Sequence, residues 1–315
     1  MARLLAPAMA FVCIGVGFSD AAFSQSECNR ECLIGFADRF TKALVEHEPG
    51  RAQLAKNAKY TENGQSLKPG DGLWATAGED SQYRLYATDP AAGQVVLLGV
   101  FKESGTPVVA AIRLKVDVRQ VTQAEVIVAR NDPAVPFRPE LLTAPRSVFN
   151  EFVDPGERQP RENLLGLLNT YFDGFDENDT GKRIPFDKEC QRIENGAEVS
   201  GATDPGADPI RRLGCLEQLN TGWSKMVTSV RERRFLVVDD ERGLVFAVEF
   251  FDYAGVLKTV KLSDGTTLAV PAGMQKPCSL MVANLIKIKA GKVRLVEAVV
   301  VPVPYGMKSG WGRQQ

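Results

Sequence analysis

The chain has 315 residues, of which 44% are hydrophobic and 24% charged, with a formal net charge of −1. That length favours two domains, each large enough to bury its own core. A charge so close to zero excludes a global field that would steer the protein to nucleic acid or to an anionic membrane.

In chain order, Arg3 and the apolar run from Leu4 to Phe18 read as an export signal over residues 1–24. Ala22-Phe23-Ser24 puts small residues where a signal peptidase reads them, with cleavage before Gln25. The run is too short for a membrane span, so the mature protein is expected in the periplasm or secreted, with no span after processing. Export favours disulfides. Five cysteines remain, and an odd number leaves one thiol over. Cys190 and Cys215 flank a Gly/Pro/Asp-rich loop and are the expected pair. Cys28 and Cys32 are candidates for a small ring, and Cys278 is read as a buried free thiol. With His47 the single histidine, neither a Cys/His metal cage nor a cofactor is expected.

Residues 25–130 read as a first unit. Leu33, Phe36, Ala37, Phe40, Ala43 and Leu44 form the stripe of an amphipathic helix that Pro49-Gly50 stops. A short helical turn over Arg51 to Ala55 and a brief strand from Tyr60 to Gly64 follow, with Trp74 as an anchor. Strands are expected at Gln82 to Thr88, Gln94 to Lys102, Pro107 to Val116 and Val121 to Arg130. Residues 131–159, rich in Pro, read as a connector with a short helix at Glu140 to Leu142.

Residues 160–303 repeat the pattern. Asn163 to Phe175 is a second amphipathic helix, Pro209 to Leu219 is helical, and Trp223 parallels Trp74. Strands are expected at Phe235 to Asp239, Leu244 to Tyr253, Leu280 to Lys289 and Lys292 to Val301. Lys258 to Gly273 is an insertion absent from the first unit, and residues 304–315 form a C-terminal tail. The run Arg231-Glu232-Arg233-Arg234 reads as a strand rim rather than a nucleic-acid site. Asp176-x-Asn178-x-Thr180 imitates a calcium loop, but Pro185 interrupts it. Glu62-Asn63-Gly64 and Glu194-Asn195-Gly196 lie 132 positions apart, and this offset also superposes Phe40 on Phe172 and Lys56 on Lys188. Two copies of one unit are expected.

Helix, short turn, short strand, Trp-bearing loop and then antiparallel strands describe an α+β fold. It comprises two cone-shaped units, each an amphipathic helix packed in a curved, mainly antiparallel sheet. With the turn Glu46-His47-Glu48-Pro49 ending the first helix, this order resembles the nuclear transport factor 2-like superfamily in its SnoaL-like branch, in tandem. The resemblance implies an apolar pocket inside each cone. It also implies a structural role for His47 and a tendency of cones to pair, here as an intramolecular pseudo-dimer, with a homo-oligomer as the alternative.

The candidate catalytic residues are Glu194, Asn195, Tyr171, Glu62 and Asn63: a carboxylate base beside an amide that could steady an oxyanion. The competing reading makes Asn-Gly a turn, with each Glu paired to a strand arginine such as Arg84 or Arg234. Ligand-binding candidates are Asn169, Trp223, Tyr253, Tyr305, Trp311 and Trp74, each of which packing alone also explains. Two functions stay open. One is binding of a small apolar, aromatic or polyketide-like molecule without cofactor. The other is a cofactor-independent isomerase, cyclase or lyase/dehydratase using a buried carboxylate. Differences between the copies (Tyr171, the Cys190–Cys215 loop and the tail) point to the second unit.

Overall fold

The computed structural model describes residues 28–177 and 183–312. The expected export signal and Asn178-Asp179-Thr180 lie outside the described residues. Helix α1 (Arg30–Val45) starts where the Asn29 side chain accepts the Cys32 N–H at 3.0 Å, a standard N-cap. The Cys28–Cys32 disulfide closes on that first turn. Leu33, Phe36, Phe40 and Leu44 are wholly buried on one face. Two residues past Val45, His47 turns left-handed (φ 57°) and its Nδ1 bonds the Trp74 carbonyl at 2.7 Å.

The first sheet contains β1 (Leu54–Glu62), β2 (Gln65–Ser66), β3 (Ala77–Glu79), β4 (Arg84–Asp89), β5 (Gln94–Glu103), β6 (Thr106–Asp117) and β7 (Gln120–Ala129), with α2 (Leu73–Thr76) carrying Trp74. Its order is β2-β1-β7-β6-β5-β3, with β4 also paired to β5. The first strand is longer than the sequence suggested, and the helical turn before it is confined to Pro49–Arg51. It pairs in parallel with β7 while the other neighbours are antiparallel.

The second half repeats this plan. Helix α3 (Arg161–Asp176) precedes β8 (Phe186–Glu194) and β9 (Ala197–Ser200), then α4 (Pro209–Arg212) and α5 (Cys215–Asn220). The expected single helix is thus two short ones: Asp208 caps the start of α4, and the break falls at Leu213-Gly214, where the Gly214 N–H bonds Glu217. The long strands are β10 (Ser229–Asp239), β11 (Leu244–Tyr253), β14 (Cys278–Lys289) and β15 (Lys292–Pro304). Arg231 to Arg234 lie inside β10 rather than at a rim. The insertion is a separate hairpin, β12 (Thr259–Lys261) with β13 (Thr267–Ala269). The sheet order β10-β11-β14-β15-β8-β9 again sets the first strand, β8, parallel to the last, β15.

Alternation along the strands assigns the core. In β5, Val95 and Leu97 face α1, whereas Val96 and Leu98 face the other sheet. In β11, Val245 and Ala247 face α3, whereas Phe246, Val248 and Phe250 turn outward to meet the first sheet. The faces turned away from the helices therefore form one shared apolar layer, into which the connector inserts Phe149. That connector folds as three 3-10 turns, at Pro139–Leu141, Ser147–Phe149 and Pro155–Glu157. Ion pairs cross the junction: Arg30 to Asp239 and Arg161 to Asp89, both at 2.6 Å, and Arg234 to Glu125 at 2.5 Å. Among the described residues no helix is long and apolar enough to cross a membrane, and no cluster of His, Cys, Asp or Glu could hold a metal ion.

Candidate functional site

The second unit encloses a cavity of about 410 Å³ between α3 and the inner face of its sheet. Helical spacing puts Tyr171 and Phe175 on its wall, and strand alternation brings Phe251 and Tyr253 from β11, and Val282 and Asn284 from β14. Trp223 and Met226 come from a single 3-10 turn, and β8 contributes Arg192 and Glu194. The roof comes from outside the cone: Val135 and Pro136 of the connector, Ile210 and Arg211 of α4, and Leu268 and Met274 around the inserted hairpin. The tryptophan of the first unit is packed instead of lining a cavity. Trp74 is wholly buried there, edge-on to Phe40 at 4.8 Å and to Tyr60 at 5.8 Å.

The polar groups fall into two sets. Arg192 donates to Glu194 at 2.8 Å and to Gln218 at 3.2 Å, with its guanidinium over the rings of Phe175 and Trp223. Burial lowers its pKa, but Tyr171 and Glu194 more than offset that, so the net shift is upward and it stays cationic. Gln218 donates in turn to the Val199 and Ile210 carbonyls. The Cys190–Cys215 disulfide, with Cα atoms 5.5 Å apart, anchors α5 to β8 and holds this assembly in place.

The second set is deeper. Asn284 donates to one oxygen of Glu249, which is wholly buried in the middle of β11, and the other Glu249 oxygen has no partner. Burial pushes the Glu249 carboxyl well above the usual carboxylate range, the Asn284 bond opposing it only in part. Burial likewise raises the Tyr171 hydroxyl to about 12 and raises Tyr253, where Glu194 adds to the effect. The two tyrosine hydroxyls are therefore neutral at physiological pH, and burial favours the protonated form of Glu249.

Of the residues singled out from the sequence, Tyr171, Glu194, Trp223 and Tyr253 share this one cavity. The others lie elsewhere. Asn195 spends its amide on the backbone, donating to the Pro136 and Val300 carbonyls and accepting the Val300 N–H at 2.8 Å. Asn63 is bound in the same way to Val128. Both stand left-handed before a glycine, at φ 46° and 45°, so each motif is a turn that clamps the last strand of its sheet. Glu62 accepts the Leu73 N–H at 2.6 Å and pairs with Arg130 at 3.0 Å rather than with Arg84. Glu194 pairs with Arg192 rather than with Arg234, which serves Glu125. Asn169 is exposed on the outer face of α3, Tyr305 is 50% exposed, and Trp74 is core.

Trp311 bonds Thr61 Oγ1 at 3.0 Å and receives Lys59 and Arg113 on its ring, so the tail straps the first unit instead of covering the cavity. Cys278 is free, as expected, but only partly buried. Arg192, Gln218, Glu249 and Asn284 escaped the sequence reading. For two of them a signal existed: Glu249 and Asn284 each interrupt an apolar strand at a position facing the helix.

Residues 157–300 match the profile of a domain of unknown function, DUF8021. No curated protein matches the chain. Among solved structures, a protein from Sphaerobacter thermophilus is 18% identical over 31% of this chain and 96% of its own, with a TM-score of 0.26. An NTF2-like protein of unknown function from Cytophaga hutchinsonii is 12% identical over 31% of this chain and 89% of its own, at 0.26. A provisionally assigned polyketide cyclase from Xanthomonas campestris is 14% identical over 44% of this chain and 90% of its own, at 0.30.

Proposed function

We propose that this is an exported tandem cone protein whose second unit binds a small, largely apolar organic molecule, aromatic or polyketide-like, without a cofactor. The observation that carries the reading is the 410 Å³ cavity itself. It falls in the roughly 300–1,000 Å³ range of small-molecule sites, apolar on most sides with a few convergent polar groups. Because Arg192 and Glu194 compensate one another and Tyr171 and Tyr253 are neutral, the interior suits an uncharged ligand that accepts hydrogen bonds. The first unit, with Trp74 buried in its core, serves as the scaffold of an internal pseudo-dimer. Two disulfides support export to an oxidising compartment. Native mass spectrometry of protein purified from its source tests the reading: a retained mass of a few hundred daltons is expected. Absence of any adduct, together with no binding of neutral bicyclic aromatics by calorimetry, would sink it.

One observation favours a second reading, a cofactor-independent isomerase, cyclase or lyase/dehydratase. Behind Asn284, which lines the cavity, Glu249 is a wholly buried carboxyl whose protonated form is favoured and whose second oxygen is unpartnered, an arrangement suited to general acid catalysis. Tyr171 would assist as a donor, and Glu194 on the cavity wall would act as base. Turnover of a bound ligand, lost in Glu249→Gln, distinguishes this reading from binding alone.

A further inference from the structure

We propose that the inserted hairpin, residues 258–275, is a lid that opens as a unit to admit and release the ligand; the ligand part of this rests on the binding function proposed above. Four observations carry it. The segment is amphipathic: Val260 and Val270 are buried and Leu268 and Met274 line the cavity, while Thr259, Lys261 and Thr267 are exposed. Its two strands pair only with each other. Among the described residues one hydrogen bond joins it laterally to the rest of the chain, from the Ser263 N–H to the Thr221 carbonyl at 2.9 Å. Its two legs cross in close contact at Gly255 (φ 73°), where an added Cβ would come within 2.4 Å of Lys276 backbone.

A lone two-stranded hairpin is marginal in water, so this one is held by its apolar face against the cavity contents and walls. Segments with few fixed bonds to their surroundings open at a small fraction of the global unfolding free energy. The far edge of the hairpin ends on the connector: a Cβ on Gly273 would lie 2.6 Å from the Ala134 Cβ. The seam between Gly273 and Ala134 is the entrance, the crossing at Gly255 is the hinge, and the Ser263–Thr221 bond is the latch. In the first unit, which lacks the insertion, Trp74 is wholly buried, whereas beside the hairpin Trp223 lines the cavity.

Two measurements on the full chain test this. In a Cys278→Ser background, Thr221→Cys with Ser263→Cys locks the latch. Stopped-flow binding of the neutral fluorophore N-phenyl-1-naphthylamine should then be at least tenfold slower in both directions than for the parent. Unchanged rates overturn the lid. Hydrogen exchange needs no ligand: Gly273→Ala wedges the seam, and exchange across 258–275 should rise at least fivefold with β14 and β15 unchanged. A hairpin that exchanges no faster, or a rise shared equally by β14, overturns it as well. If the exchange result holds but the parent does not bind the fluorophore, the ligand reading falls and the mobile hairpin stands.

Discussion

Asp89 and Asp239 each accept the backbone N–H of the residue that precedes the other: Thr88 donates to Asp239 at 3.1 Å and Val238 to Asp89 at 3.0 Å. Each carboxylate also takes an arginine from the start of the opposite unit's helix, Arg30 for Asp239 and Arg161 for Asp89. The two backbone bonds are reciprocal, as contacts across a two-fold axis would be. Both carboxylates are almost wholly buried, so removing either leaves backbone donors unpaired and takes one carboxylate partner from an arginine, Arg30 keeping Glu241. Asp89→Ala or Asp239→Ala should each cost about 2–4 kcal/mol in urea unfolding. The wild type should unfold in one transition, because the sheets share a core; two transitions would show that the junction does not couple them.

Across the same junction Glu297 is wholly enclosed, accepts the Tyr83 hydroxyl at 2.5 Å and leaves its second oxygen unpartnered. Burial raises its pKa from 4.5 to about 7, with Tyr83 and Arg146 opposing. A carboxyl raised on folding keeps its proton while the unfolded chain loses its own, so stability falls as pH rises between those two values and levels off above. The full loss is about 3 kcal/mol. Glu297→Gln should remove this slope. Parallel denaturation curves at pH 5, 6, 7 and 8 for the two proteins provide the comparison, and identical pH profiles would refute the shift.

Much of this plan was legible in the sequence, because periodicity reports burial. Leu244–Tyr253 matches the expected strand at both ends, and the Glu-Asn-Gly turns at Glu62 and Glu194 each follow the first long strand of a sheet. The parallel pairing of β1 with β7 was not legible, since a parallel neighbour lies far along the chain and leaves no turn signal. Nor could composition separate Trp74 from Trp223. Each follows the first strands of its sheet, yet Trp74 is wholly buried and Trp223 lines a cavity. What separates them is the roof, built in the second unit from the connector, α4 and the inserted hairpin.

The Glu-Asn-Gly turns make a prediction opposite to that for a catalytic pair. Asn195 is completely buried, and its amide replaces the backbone partners Val300 lacks at the edge of the ladder. Asn195→Ala should therefore cost about 2–4 kcal/mol, and Asn63→Ala a comparable amount in the first unit. Asn195→Ala protein that is still folded should bind ligand with little change, by calorimetry below its melting temperature. A large loss of affinity at unchanged stability would return Asn195 to the site.

Tyr171 and Tyr253 behave differently because their hydroxyls make no hydrogen bond to the described residues and border the cavity. Their rings are packed, with Tyr171 edge-on to Phe172 and Phe175 at 5.2 Å. Phenylalanine preserves that packing and removes only the hydroxyl. Tyr171→Phe and Tyr253→Phe should leave stability within about 1 kcal/mol of wild type. Each should weaken binding of an acceptor-bearing ligand by about 0.5–1.5 kcal/mol, or some two- to tenfold. Titration of both variants with the ligand recovered from the native protein decides whether the hydroxyls face it.

Glu249 separates binding from chemistry. Burial favours its protonated form, for which Glu249→Gln is a neutral, planar replacement, so that change should alter stability by less than about 1 kcal/mol. Glu249→Ala leaves the Asn284 donor unpaired and a void beneath it, which costs about 2–4 kcal/mol. If the protein only binds, the glutamine variant behaves as wild type throughout. If the carboxyl delivers a proton, glutamine cannot, and turnover should fall by about 10²–10⁴ with binding retained. The wild-type rate should then decline as pH rises through the elevated Glu249 pKa, since only the protonated form donates. Turnover undiminished in Glu249→Gln would remove Glu249 from the chemistry and leave it as the buried support of Asn284 on the cavity wall.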